Sequence, residues 1–383
     1  MSVTAAAGFR AAGVTAGLKV SGLPDVALVV NDGPSFAAAG VFTTNRVQAA
    51  PVMWSRQVLT GGRLRAVVLN SGGANACTGP RGFADTHHTA EHVAELLRCG
   101  AGEVAVASTG LIGEFLPMDK LLPGIAAAVE VLDEDGGADA AEAIRTTDTV
   151  AKQASASHGG VTVGGMIKGA GMLAPGLATM LCVLTTDAVA DAALLDEVLR
   201  AATRVTLDRV DTDGCMSTND TVVLLASGAS GVSTTAESLL DLVHAVLADL
   251  CEQLIADAEG ATKQVRVEVV GAKTEDEAVE VGRSVARSDL LKCALFGGDP
   301  NWGRVLAAAG TTQAAFDPMA LDVTINDVMI CRDSAPGEPR ELVDLSGRDV
   351  SITLDLKAGS QRATVLTTDL TVAYVHENSA YST

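Results

Sequence analysis

Short runs of aliphatic and β-branched residues recur along the whole chain, and most of them are bounded by glycine, asparagine or aspartate. Runs of this length with turn-forming residues at their ends are typical of β-strands. We therefore predict strands at 27–31, 65–70, 103–108, 179–187, 221–227, 264–270, 321–325, 350–356 and 363–375.

Helical patterns lie between these runs. The clearest covers residues 237–260, where aliphatic residues return every three or four positions and so share one face of a helix. These residues are Leu239, Val243, Val246, Leu250 and Leu254. Gly260 predicts the end of this helix, because glycine is common directly after the last helical residues. Further helices are predicted at 90–99, 192–205 and 275–295.

Strands and helices are mixed along the chain, but the strands near the C-terminus do not alternate strictly with helices. This order favours the α+β class, as a layered αββα sandwich, over a doubly wound nucleotide-binding fold. No low-complexity linker divides the chain, so the sequence offers no conventional domain boundary.

Composition indicates an aliphatic core and an acidic protein. Of the 383 residues, 48% are apolar but 3% are aromatic, so Ala, Val and Leu must fill the core. The formal net charge of -20 argues against nucleic acid or an anionic membrane as a partner. No apolar stretch reaches the roughly 18 residues of a membrane-spanning helix, and the dispersed cysteines are typical of reduced thiols. We therefore expect a cytoplasmic protein.

Two polar stretches bear on metal and cofactor binding. The segment DTDGCMSTNDT (211–221) is rich in carboxylates, but it lacks the spacing of an EF-hand, which favours turns over a metal site. The segment NSGGANACTGPRG (70–82) lacks the Lys-Ser/Thr of a P-loop. We predict a tight loop beside a pocket there, with Asn70 or Asn75 as a hydrogen-bond donor. Neither a metal nor a cofactor is predicted.

The chain changes character at the bond between Ala178 and Thr179. Residues 168–178 are rich in glycine and small residues, whereas a dense apolar run begins at Thr179. A threonine hydroxyl within a chain has no base beside it. If the preceding bond is cut, the new α-amine, with an ordinary pKa of about 8, can take the hydroxyl proton and activate the nucleophile. By itself, Thr179 also suits the plain start of a strand.

Eight long segments stand out in order from one end of the chain to the other. They are GFRAAGVTAGLK (8–19), STGLIG (108–113), TTDT (146–149), GGMIKGAGMLAPGLATML (164–181), DGCMSTNDT (213–221), DAEGATK (257–263), GGDPNWGR (297–304) and ENSAYST (377–383). Their combination resembles the ornithine acetyltransferase (ArgJ-type) family of arginine biosynthesis, although Gly298 stands where a cysteine is common in that family.

The resemblance implies a self-processing enzyme whose αββα-type fold is similar to that of N-terminal-nucleophile enzymes. We expect cleavage between Ala178 and Thr179, an α chain of residues 1–178, a β chain of residues 179–383, and assembly as α2β2 or higher. Thr179 would take the acetyl group from N-acetylornithine and pass it to glutamate by a ping-pong route. No cofactor is implied, and acetyl-CoA is a co-substrate only in bifunctional members.

The resemblance also implies roles for residues in the other motifs. Thr109 and Gly110 match the oxyanion-hole pair, and the tetrahedral intermediate of acyl transfer needs such preset donors. The positions that match substrate contacts are Thr147, Lys168, Thr179, Glu259, Asn378 and Thr383. The neighbouring Thr146 leaves the register of the Thr147 contact open.

Two other functions remain open from the sequence. An N-terminal-nucleophile amidase or aminopeptidase would use the same threonine but give the acyl group to water. A non-catalytic amino-acid-binding protein would use Lys168 and Glu259 only to hold the carboxylate and ammonium of a zwitterion. A secondary pathway with a related diamino acid is also open.

Overall fold

The computed structural model of the protein describes residues 2–174 and 180–380. The described chain forms two compact units. Unit 1 contains the described residues up to 208 together with 215–254, and unit 2 contains 209–214 and 255–380. The seven cysteines, all of them among the described residues, are free thiols.

Unit 1 contains nine strands and most of the helices among the described residues. The strands are β1 Phe9–Val14, β2 Val26–Asn31, β3 Ala37–Phe42, β4 Ala66–Asn70, β5 Val104–Ser108, β6 Lys152–His158, β7 Val161–Lys168, β8 Leu181–Thr186 and β9 Thr221–Ala226. The helices are α1 Ala50–Val58, α2 Gly79–Leu97, α3 Met118–Glu130, α4 Gly137–Ala143, α5 Ala192–Val205 and α6 Ala236–Ala256, whose last two residues belong to unit 2.

Two sheets of unit 1 face each other. One has the strand order β1-β2-β4-β5 and the other has the order β3-β9-β8-β7-β6. Val29 and Leu69 of the first sheet share a buried cluster with Val183 and Val223 of the second. Because side chains alternate along a strand, the neighbours of these residues in the first sheet point outward, where they pack on α2 and α3.

Helix α6 covers the outer face of the second sheet. A Cβ atom at Gly165 in β7 would lie 2.9 Å from Val246 Cγ1 and 3.2 Å from Leu250 Cδ1, so glycine allows the helix to approach the strand closely. Helix α5 packs on the edge strand β3. The layers are therefore helix, sheet, sheet and helix, which confirms the predicted α+β fold and its αββα arrangement.

Unit 2 contains a mixed sheet with the order β13-β12-β11-β14-β10-β15. Its strands are β10 Gln264–Ala272, β11 Asp322–Ile325, β12 Val328–Arg332, β13 Ala335–Pro336, β14 Asp349–Asp355 and β15 Gln361–Thr368. Its helices are α7 Glu275–Ala286, α8 Asp289–Phe296, α9 Trp302–Ala309 and α10 Val372–Ala380. Aliphatic residues of α7, α8 and α9 pack on the sheet in one buried cluster.

Four predicted boundaries were wrong. The helix predicted at 90–99 is the second half of α2, which already begins at Gly79, with proline in its first turn. Helix α6 ends at Ala256 rather than at Gly260, which has a φ of +60° and whose missing Cβ would lie 2.3 Å from Tyr374 N. The strand predicted to continue to 375 ends at Thr368, because the Thr371 hydroxyl accepts the Tyr374 N–H and starts α10. The helix predicted at 275–295 is two helices, since Ser288 caps the second.

The predicted cleavage point lies outside the described residues, as do both Ala178 and Thr179. Its flanks are described: β7 and β8 pair antiparallel, with Lys168 opposite Leu181. The predicted chains 1–178 and 179–383 therefore share a hydrogen-bonded sheet within unit 1, and their division does not follow the two compact units. Among the described residues, every helix is too short or too polar to cross a bilayer.

Candidate functional site

Thr109 is fixed at the carboxyl end of β5 by hydrogen bonds on both sides of its backbone. Its N–H donates to the Asn70 carbonyl at 2.9 Å, and its own carbonyl accepts the Gly73 N–H at 3.0 Å. The residue is 4% exposed. These bonds hold the turn after β5 against the turn after β4, so the position of Thr109 is set by the sheet itself.

Gly110 follows in a conformation that favours glycine. Its φ is +129°, and an added Cβ would lie 2.8 Å from the Gly73 nitrogen. A side chain would therefore push the two turns apart. Within residues 2–174 and 180–380, the Gly110 N–H donates to no acceptor, which leaves it available to an oxyanion.

Lys168 reaches Thr109 from the last position of β7. Its side chain is 2% exposed, and Nζ lies 3.4 Å from Thr109 Oγ1. An ammonium group can only donate, so the Thr109 oxygen accepts this hydrogen bond and its own O–H remains a donor. Thr109 and Gly110 thus present two donors on one turn, with a cation beside them. This is the donor arrangement that stabilises a tetrahedral acyl-transfer intermediate.

Asp148 is the buried counter-charge of this group. Its Oδ1 accepts hydrogen bonds from Lys152 Nζ at 2.7 Å and from the Gly169 N–H at 2.6 Å. Its Oδ2 accepts the Thr146 N–H at 3.0 Å. Because Gly169 directly follows Lys168, these bonds tie the end of β7 to the turn that contains Asp148. The Lys152 side chain is completely buried.

The pKa of Asp148 shows that nearby positive charges and hydrogen bonds outweigh the effect of burial. Burial alone would raise it, but the positive charges of Lys168 and Lys152, together with the hydrogen bonds, lower it to about 2. The carboxyl group is therefore ionised at neutral pH. It balances one of two buried lysines that stand near each other at the end of β7 and the start of β6.

The predicted contact Thr147 lies in the same turn, immediately before Asp148. Both Thr146 and Thr147 are partly exposed, and the Thr146 N–H donates to the Asp148 carboxylate. The amides of Asn70 and Asn75 are used inside their own loop, since they donate to the carbonyls of Gly73 and Gly82. Asn75 also donates to the Thr86 hydroxyl, so both of its amide hydrogens are used, and the expectation that it donates into a pocket was wrong. For Asn70 that expectation stays a prediction.

A second buried aspartate, Asp220, stands at the start of β9. Its side chain is fully buried, and Oδ1 accepts the Met180 N–H at 3.0 Å. Its neighbour Asn219 donates from Nδ2 to the carbonyls of Ala74 and Ser108, at 2.6 and 2.8 Å. The start of β9 is thereby fastened both to the end of β5 and to the residue that precedes β8.

The pKa of Asp220 is raised well above its usual range. Burial is the main cause, and the nearby Asp208 carboxylate adds to it, whereas the Met180 N–H, the Ser217 hydroxyl and the Lys168 charge lower the pKa. The group is therefore protonated over a pH range in which an exposed aspartate is ionised.

Glu259 and Asn378, two further predicted contacts, meet in unit 2. Asn378 Nδ2 donates to Glu259 Oε2 at 2.9 Å and to the Tyr374 carbonyl at 3.0 Å. Glu259 lies in a turn three residues after the end of α6. Thr383 lies outside the described residues, as does Thr179.

The sequence did not predict Asp148, Lys152 and Asp220 as parts of the site. Asp148 and Asp220 lie in the motifs TTDT and STNDT, where the sequence analysis assigned roles only to the threonines and to turn-forming residues. One signal was present for Asp220: it stands directly before the continuous apolar run TVVLLA, which is typical of a fully buried strand. A carboxylate at such a point is buried as well.

Comparisons with known proteins agree with the motifs. The ArgJ family profile matches residues 10–383. The Streptomyces avermitilis protein named arginine biosynthesis bifunctional protein ArgJ is 67% identical over 382 residues, which cover 100% of both chains. The Thermobifida fusca protein of the same name is 62% identical over 383 residues, again covering 100% of both.

A solved structure is also similar. The ornithine acetyltransferase of Mycobacterium tuberculosis, complexed with ornithine, is 63% identical with a TM-score of 0.45, and the match covers 47% of this chain and 96% of that chain. The family profile and the full-length relatives determine the assignment. The chain belongs to the ArgJ family.

Proposed function

We propose that the chain is a self-processing N-acetyltransferase of arginine biosynthesis. It transfers the acetyl group of N-acetylornithine to glutamate through an acetyl ester on Thr179. Membership of the ArgJ family supports this proposal, because full-length relatives carry the name arginine biosynthesis bifunctional protein.

The observation that carries the proposal is the group of Thr109, Gly110 and Lys168. The two hydrogen-bond donors after β5 lie beside the buried ammonium group at the end of β7. That strand pairs with β8, whose first residue comes two positions after Thr179. The described residue Leu181, two positions after Thr179 in the sequence, pairs with Lys168 beside these donors, which supports Thr179 as the nucleophile they serve.

Processing would proceed by an acyl shift. The Thr179 hydroxyl attacks the Ala178 carbonyl, the peptide C–N bond breaks, and the Thr179 nitrogen takes up a proton. Water then hydrolyses the resulting ester, which gives the α chain a terminal carboxylate and returns a free hydroxyl to Thr179. The residue now carries its own base, since its α-amine can accept the hydroxyl proton.

Acetyl transfer would use the same atoms. The α-amine of Thr179 takes the hydroxyl proton as the oxygen attacks the acetyl carbonyl, and Thr109 O–H and Gly110 N–H stabilise the oxyanion. The intermediate collapses with return of that proton to the departing amine of ornithine. The neutral amine of glutamate then attacks the acetyl ester, the bond between the acetyl carbon and the Thr179 oxygen breaks, and the α-amine of Thr179 carries the proton lost by glutamate to that oxygen. The products are N-acetylglutamate and the free Thr179 hydroxyl.

Lys168 would strengthen the oxyanion hole through Thr109. A hydroxyl that accepts a hydrogen bond from an ammonium group is polarised and donates more strongly. The remaining substrate contacts, Thr147, Glu259, Asn378 and Thr383, stay predictions. So do the α2β2 or higher assembly and the use of acetyl-CoA as a second donor; no step above requires a cofactor.

The test combines protein chemistry with a partition measurement. Wild-type protein should give two fragments that end and begin at the 178/179 bond, whereas Thr179→Ala should stay as one chain. With N-acetylornithine and glutamate, acetyl should appear on glutamate in preference to water. A wild-type preparation that is active as a single chain contradicts the proposal.

The acceptor distinguishes the alternatives. Release of acetate at the same rate with and without glutamate would identify an N-terminal-nucleophile amidase. Binding of N-acetylornithine without any turnover would identify an amino-acid-binding protein.

A further inference from the structure

We propose that Asp220 is a positioning residue for this reaction, acting as a neutral carboxylic acid that holds the amide of Met180 and, with it, the chain position of Thr179. The inference rests on the proposed function, because Thr179 has to be the nucleophile for its position to matter.

The Met180 peptide is held by two consecutive residues at the start of β9. Asp220 Oδ1 accepts the Met180 N–H at 3.0 Å, and the Thr221 N–H donates to the Met180 carbonyl at 3.2 Å. Parallel pairing of β8 with β9 begins one residue later, with Leu181 beside Thr221. The side chain of Asp220 therefore extends the ladder by one hydrogen bond, towards the proposed nucleophile.

This bond acts very near the reacting residue. Nitrogen atoms of successive residues are separated by about 3.6 Å at most in any chain conformation. A carboxyl group that fixes the Met180 nitrogen therefore restricts the terminal amine and hydroxyl of the residue before it. Such restriction favours catalysis, because a misplacement of about 1 Å can lower a rate by about 100-fold.

The second oxygen of Asp220 indicates that the group is a neutral acid. Oδ2 is buried and, within the described residues, has no hydrogen-bond partner. The Ser217 hydroxyl lowers the pKa of Asp220, but this effect is smaller than that of burial, and Oδ2 itself has no hydrogen-bond partner among the described residues. An anion held by one hydrogen bond in a fully buried position is costly, whereas a protonated group keeps the Oδ1 acceptor at lower cost.

The charged groups around Asp220 act in both directions. Lys168 favours the carboxylate, and Asp208 disfavours it. Lys168 is already close to Asp148, which is ionised and balances its charge. The cation therefore compensates Asp220 only in part, and burial keeps the proton on Asp220.

The test compares Asp220→Asn with Asp220→Leu in full-length protein. An asparagine amide has the same pattern as the neutral acid, with one acceptor oxygen and a donor group. Asp220→Asn should cleave itself and keep kcat within about threefold of wild type. Asp220→Leu should cleave at least tenfold more slowly, and its cleaved fraction should lose about 100-fold in kcat with KM nearly unchanged.

A matched control stands at the other end of β8. Asp187 is also buried and accepts backbone N–H groups, from Ala7 at 3.3 Å and Thr162 at 2.8 Å, but it lies away from the proposed nucleophile. Asp187→Asn should change thermal stability without changing kcat. Melting temperatures of all variants separate loss of fold from loss of position.

The outcomes are distinct. Full kcat in Asp220→Leu overturns the inference. An Asp220→Asn variant that folds but has a kcat at least 100-fold below that of wild type overturns it as well. If Asp220→Leu does not fold, Asp220→Asn decides alone through kcat and cleavage rate. If wild-type protein is neither cut nor acetylated by N-acetylornithine, the proposed function fails whatever the variants do.

Discussion

Asp148 and Asp220 lie in the same compact unit, and both side chains are almost fully buried. Asp148 accepts hydrogen bonds from an ammonium group and two backbone N–H groups, and its pKa is lowered to about 2. Asp220 accepts one backbone N–H, and its pKa is raised well above the usual range. Similar burial is therefore accompanied by pKa shifts in opposite directions, and the difference lies in the charged and hydrogen-bonding partners.

The two carboxyl groups also suit different tasks. Asp148 supplies the negative charge that lets Lys152 and Lys168 remain buried near the oxyanion-hole pair. Asp220 supplies a directional hydrogen bond without placing a second negative charge beside a developing oxyanion. A negative charge there would oppose the transition state that Thr109 and Gly110 are proposed to stabilise. Charge balance and position are thus assigned to separate residues.

The largest expected effect comes from removing the ionised partner. Asp148→Ala leaves Lys152 completely buried without its carboxylate, so the free energy of unfolding should fall by about 3–5 kcal/mol. Urea unfolding measures this loss. A loss below about 1 kcal/mol would mean that Asp148 is not the charge that holds Lys152 in place.

The next effect concerns the donor that the buried lysine polarises. Thr109→Val keeps the shape of the side chain but removes the hydroxyl group that Lys168 contacts. We expect kcat to fall by about 100-fold or more, which corresponds to about 3–4 kcal/mol of transition-state stabilisation. Steady-state kinetics of the cleaved enzyme measure it, and Thr109→Ser should recover most of the rate. An unchanged kcat in the valine variant contradicts this role.

Acid pH sharpens the comparison through Asp148. Its folded pKa of about 2 lies below the ordinary 3.8, so the folded state binds fewer protons and this stability is present above about pH 4. It should be lost as the pH falls from about 4 to 2, by about 2–3 kcal/mol in total. Unfolding measured across this range should show a smaller slope for Asp148→Asn than for wild type.

Asp220 should give the opposite slope at higher pH. Because its folded pKa is raised, the folded state binds more protons, and stability decreases as the pH rises from about 4 towards that pKa. The contribution is at most about 1.4 kcal/mol for each pH unit. In Asp220→Asn this contribution is absent, so its stability should fall less than that of wild type over the same range. Parallel curves for the two proteins would show that Asp220 is not protonated when folded.

The fold could be predicted where strands are buried on both faces. β2, β4, β8 and β9 read as continuous apolar runs, and all four were found within one or two residues. β6 and β7 were missed, because serine and glycine have low strand propensity. Gly165 in β7 allows α6 to pack closely on the strand. The residue pattern of one strand cannot predict this contact, because it depends on a helix that comes later in the chain.

The site could be predicted only in part for a related reason. The resemblance pointed to Thr109, Gly110 and Lys168, which the structure brings together within unit 1. The roles of Asp148 and Asp220 could not be predicted, because the pKa of each carboxyl group depends on residues far away in the chain. The positive charges of Lys168 and Lys152, with the hydrogen bonds, lower the pKa of Asp148, whereas burial raises the pKa of Asp220.

Tandem mass spectrometry of the peptide that begins at Thr179, quenched during turnover with N-acetylornithine, tests the central claim most directly. The proposed mechanism predicts one acetyl group on the side-chain oxygen of that terminal threonine, which disappears when glutamate is added. Acetyl transfer to glutamate by protein whose Thr179 remains within an uncut chain, or never carries the acetyl group, would contradict it.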